Sequence, residues 1–123
     1  MIHHVIQRLA DSAAVASETA GRVFPLFRLQ GSDIPAITVQ LTGTEPVGTK
    51  DRLTDYEVHE VEITYFHDSP KAAWELSVTC RDLLDGWSNN AIKQSRFVNQ
   101  ATDIYQATEV FTITQRYEIH MDR

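Results

Sequence analysis

A chain of 123 residues with a net charge of −6 has room for one domain around one core, not for two. Its acidic balance and eleven scattered Lys and Arg argue against binding along a phosphate backbone, which needs clustered cations. The lone Cys80 excludes an intrachain disulfide and a cysteine zinc site. No apolar run approaches the roughly 18 residues of a membrane span, and Met1-Ile2-His3-His4 lacks signal-peptide character, so a soluble protein made in the cytoplasm is expected.

In chain order, Ile2, Val5, Ile6, Leu9, Ala13 and Ala16 recur at helical spacing and predict one helix over 2–18, ended near Gly21. Pro25 within Val23-Phe24-Pro25-Leu26-Phe27 rules out a central strand and leaves an edge strand or a buried loop. Gln30-Gly31-Ser32-Asp33 is a turn signal. A strand over 34–41 follows, with Ile37, Val39 and Leu41 on one face. Residues 43–53, with Gly43, Pro46 and Gly48 among polar neighbours, read as a long loop, an arm able to order on a partner.

Tyr56 to Phe66 is the next strand, with Val61, Ile63 and Tyr65 facing one way and Glu60, Glu62 and Thr64 the other. The broken alternation at Val58-His59-Glu60 points to a bulge. Asp68 or Ser69 caps a second helix with Pro70 in its first position, and Ala73, Leu76, Cys80, Leu83 and Trp87 form its core stripe before Gly86 ends it. A polar connection, Trp87 to Asn90, leads through 92–94 to a third strand near 96–101, with Thr102 and Asp103 near a turn. From Val110 to Met121 the alternation is long and regular. Phe111, Ile113, Tyr117, Ile119 and Met121 share a face with Gln115 as its one polar member. The fold class expected is α+β, a mainly antiparallel four-stranded sheet with two helices packed on one face.

The chemistry-bearing residues form no constellation. His3 and His4 are adjacent and diverge on a helix, His59, His67 and His120 are scattered, and neither HExxH nor a Cys/His cluster exists. Cys80 lies on the core stripe, where burial is the better reading than a nucleophile. GxSxG, Walker A and GxGxxG motifs are absent. Glu57, Glu60 and Glu62 read as a solvated strand face rather than a hydrolase pair. Trp74 sits off the core stripe and is the better candidate for a protein interface. No catalytic, cofactor or metal site is assigned. The expected partner contacts are Glu45, Val47, Lys50, Asp51 and Arg52 on the long loop, and Trp74.

Taken nearly end to end, the chain resembles the small tail completion proteins of long-tailed phages, which include tail terminators and tail-to-head joining proteins. Gly21-Arg22-Val23-Phe24-Pro25 is similar to the family's G-x-[IV]-[FY]-P stretch, and Ile34-Pro35-Ala36-Ile37-Thr38-Val39 to its [LI]-P-[YA]-[IV] strand. Tyr56 to Phe66 resembles the strand before a [DS]-x-x-x-A helix, here Asp68-Ser69-Pro70-Lys71-Ala72-Ala73. That helix ends in a pattern like Arg81-Asp82-Leu83-Leu84-Asp85-Gly86, and Tyr105 to Ile119 resembles the last strand. The resemblance implies a structural virion protein without catalytic residues. It implies a ring, commonly a hexamer, at the head-proximal end of the tail tube, which ends tube growth and joins the tail to the head connector. Its implied partners are further copies of itself, the tail tube protein and a connector or head completion protein, with DNA passing the lumen unbound and no membrane involved. A small-molecule-binding or enzymatic α+β domain is the alternative, and it requires a pocket with convergent polar groups. A component of a phage-tail-like device is the third reading.

Overall fold

Ser12 divides the helix expected over 2–18. Its hydroxyl accepts from the Val15 N–H at 3.5 Å and its carbonyl from the Ala16 N–H at 2.9 Å. The chain therefore ends α1 (Ile2–Ala10) and starts α2 (Ala13–Thr19) around a serine N-cap. Periodicity alone hid the break, because Val5 and Leu9 of α1 and Val15 of α2 all enter the same core.

The computed structural model describes residues 2–19, 22–25, 36–48, 53–88, 92–105 and 110–122. The expected stops at Gly21 and Gln30–Asp33 lie outside them, as do Lys50, Asp51 and Arg52. Besides α1 and α2, the elements are β1 (Val23–Pro25), β2 (Ala36–Gly48), β3 (Leu53–His67), α3 (Pro70–Leu84), β4 (Ile92–Tyr105) and β5 (Val110–Asp122). The strands form one five-stranded sheet in the order β1-β2-β3-β5-β4. Every pairing is antiparallel except β1 on β2, which is parallel, so the sheet is mixed rather than four-stranded. Pro25 sits on the edge strand, where a missing N–H is harmless.

The expected loop over 43–53 needs correcting. Gly43–Gly48 are strand, paired with β3 from Glu60 back to Leu53. A bulge at Thr42, opposite Glu60, admits the extra residue, and the Thr42 hydroxyl donates to the Glu60 carbonyl at 3.1 Å. The irregularity seen at Val58-His59-Glu60 thus belongs to the partner strand. Pro46 is tolerated because β2 has no neighbour beyond β1 at Ile37–Val39 among the described residues. β4 is also longer than expected. Thr102 and Asp103 continue the strand, paired with Ile113 and Thr112, and two further bulges fall at Lys93 and Val98.

α3 begins as its residues dictate. Ser69 is the N-cap, its hydroxyl accepting from the Ala72 N–H at 3.4 Å, and Pro70 takes the first turn. Gly86 follows the helix with φ +76°, a conformation that favours glycine. α3 packs on β3 and β5, while α1 packs on β1 and β2, so the helices share one face of the sheet. Between them lies a core of Val5, Leu9, Ile37, Val39, Ile63 and Leu84, among others. Each such aliphatic side chain contributes about 1.5–3 kcal/mol by leaving water.

Candidate assembly surfaces

The core contains one closed polar network. Gln115, fully buried, accepts from both the Tyr65 and Tyr117 hydroxyls at 2.7 Å. Its amide donates to the Ser77 carbonyl at 3.1 Å and to the Gln100 side chain at 2.9 Å. Four hydrogen bonds satisfy the whole amide, so the network is structural rather than poised. Beside it, burial pushes the Cys80 thiol up to about 12, only partly offset by its contact with Tyr65. Burial likewise raises both tyrosines. Such a thiol is a poor nucleophile.

The histidines serve as local ties. His67 is buried where β3 meets α3. Its Nδ1 accepts from the Ser69 N–H at 3.1 Å and lies 2.9 Å from Asp68, and its Nε2 reaches Glu18 of α2 at 2.9 Å. His59 links the two strands of the hairpin, with Nδ1 3.1 Å from the Thr44 hydroxyl and Nε2 3.2 Å from Glu57. Burial holds His59 below the usual imidazole range, while Glu57 pulls the other way. His59 and His120 do not meet, because His59 pairs with Ile119 and faces the other side of the sheet. An open groove of about 470 Å³ runs between His3, His4, Arg8 and Trp87. Its cation is committed: Arg8 donates to the Leu83 carbonyl at 3.1 Å and lies 5.5 Å from the Trp87 ring, joining α1 to the end of α3. Among the described residues no cluster of acids, histidines and cysteine can hold a metal ion.

The second face of the sheet carries the charges. Arg96 pairs with Glu118 at 2.7 Å, and Arg116 approaches Glu60 at 3.8 Å. These pairs are exposed and contribute little to stability, so Glu60 and Glu62 belong to a solvated face, whereas Glu57 lies on the other face beside His59, contrary to the expected row of three.

What remains for partners is apolar and exposed. Trp74 is 57% exposed, with Val78 at 36% one turn further along α3, and on the sheet Leu41 is 37% and Val98 42% exposed. Of the expected contacts, Trp74 stands on the outward side of α3, and Glu45 and Val47 lie in distal β2, paired with Val58 and Tyr56. The structure does not bring Trp74 to that hairpin. Val78, Leu41 and Val98 were not anticipated. Val78 was discoverable as the position four residues after Trp74, the next outward site on a helix, whereas Val98 owes its exposure to a bulge that no pattern announces.

A family model described as tail completion protein gp17 matches residues 3–122. No curated protein matches the sequence. Among solved structures, a chain of the virion of a native gene transfer agent particle shares the fold. The TM-score is 0.71 at 14% identity, covering 97% of this chain and 92% of that one.

Proposed function

The chain belongs to the tail completion protein gp17 family, and we propose that it acts in the virion tail as a ring-forming terminator at the end of the tail tube nearest the head. Membership makes it a structural component of the tail. The match over residues 3–122 carries this reading. In the proposed role, six copies close a ring that ends tube growth and offers a docking face to the head connector or head completion protein. Cyclic closure requires two different patches that meet head to tail. Exposed apolar side chains on separate elements, Trp74 and Val78 on α3 and Leu41 and Val98 on the sheet, are suited to such contacts. The acidic balance of the chain suits a lumen through which DNA passes without adhering.

Light scattering of the purified protein, with negative-stain imaging of the same sample, tests the ring. A closed species of six copies is expected. A monomer both in solution and on isolated tails would refute it.

A further inference from the structure

We propose that neighbouring copies join edge to edge, with β4 of one copy laid antiparallel along Gln40–Glu45 of β2 in the next, so that Val98 meets Leu41. The inference rests on the ring reading and specifies its joint.

Four observations converge on it. First, the sheet ends in two different edges. Among the described residues β4 has a strand on one side only, and β1 covers β2 only at Ile37–Val39. Backbone donors and acceptors along such edges form a template for another chain. Second, polarity fits. β2 and β5 run one way and β3 and β4 the other, so repeating the order across a joint sets β4 antiparallel to the next β2, with no reversal of the subunit.

Third, one row of residues crosses the sheet from edge to edge. Leu41 pairs with Val61, Val61 with Tyr117 and Tyr117 with Phe97, beside Val98. Val61 and Tyr117 in the row are buried and Phe97 is partly so; Leu41 at one end, and Val98, the bulge residue next to Phe97 at the other, are exposed apolar side chains. A joint without a step along the strands brings the bulge at Phe97–Val98 against Leu41. Both ends coincide with bulges, at Thr42 and at Val98, which obstruct indiscriminate pairing of flat edges and leave a shaped fit. Pro46, with no N–H to offer, bounds the contact on the β2 side.

Fourth, charge is divided across the sheet. From Ile92 to Thr102, β4 carries Lys93 and Arg96 and no acid. From Tyr56 to Phe66, β3, next to the β2 edge, carries Glu57, Glu60 and Glu62 and no Lys or Arg. Arg96 already pairs with Glu118, Glu60 lies 3.8 Å from Arg116 and Glu57 is held by His59, so this division adds no new ion pair but gives the two edges unlike fields, which disfavours β2-to-β2 encounters.

Paired cysteines test the joint. Within one chain residues 41 and 98 lie three strand spacings apart, roughly 14 Å, which a disulfide cannot bridge. Cys80 is buried and its thiol is pushed up to about 12, so it stays out of exchange. The variant carrying both Leu41→Cys and Val98→Cys is oxidised, as purified protein and on isolated tails, and run on non-reducing gels beside each single variant. A ladder of multimers that collapses with reductant, with nothing above a dimer from either single variant, is the expected result. Closed rings by light scattering without a ladder would overturn this joint and leave the ring standing. Neither rings nor a ladder in either sample would overturn both.

Discussion

Gln115 shows how much one side chain can fix. Replacing it by Leu leaves two tyrosine hydroxyls, the Ser77 carbonyl and the Gln100 amide without their partner. Buried groups stripped of a hydrogen bond cost about 1–3 kcal/mol each, moderated where a neighbour relaxes. Gln115→Leu is therefore expected to lower stability by about 3 kcal/mol in urea unfolding, despite making the core more apolar. The position was visible in the sequence as the only polar member of an apolar face. Its partners were not, because Tyr65, Ser77 and Gln100 converge on it through tertiary packing, which alternation along one strand cannot express.

At the scale of elements, the hairpin of β2 and β3 was the least legible part of the chain. The strands around Ile37 and Ile63 bury one face and so announce themselves by alternation, as does β5. Distal β2, from Gly43 to Gly48, mixes glycine, proline and polar residues on an edge, a composition shared by strands and loops alike. The division at Ser12 was hidden for the converse reason, since both helices present apolar residues to one core. His59 ties the two strands of the hairpin together through Thr44. Its ring is held low by burial, so the unfolded chain takes up a proton first as pH falls through about 6.5. Folding stability should thus decline between about pH 7.5 and 5.5, until the folded ring itself is protonated. His59→Gln should flatten this part of the profile in denaturant midpoints. His4, also held low by burial first and by His3, leaves a residual slope of the same sign.

For the molecule as a whole, the expectation of two helices on one face of a four-stranded sheet captured the layers; it left the edge strand, one of two readings for Val23–Phe27, out of the count and missed the split helix. Charge and exposed apolar positions decide how such a layered body meets others. Trp74 contributes little to the core, so Trp74→Ala should shift the unfolding free energy by no more than about 0.5 kcal/mol. Interface tryptophans often account for more than about 2 kcal/mol of association. The same variant should therefore fold normally yet fail to complete tails, read as loss of joined particles by imaging. Normal particle yield would remove Trp74 from the docking face.

The strand order carries a consequence for synthesis. β5 is made after β4 yet sits between β4 and β3, which have no pairing of their own. Before β5 is made, the pairings open to the described strands are those among β1, β2 and β3, and β4 has no partner. Neither half has the Ile113, Gln115, Tyr117 and Ile119 face that closes the interior beneath α3. The sheet thus stays unfinished until β5 slots between β3 and β4, and β4 becomes an edge of the sheet only at that step.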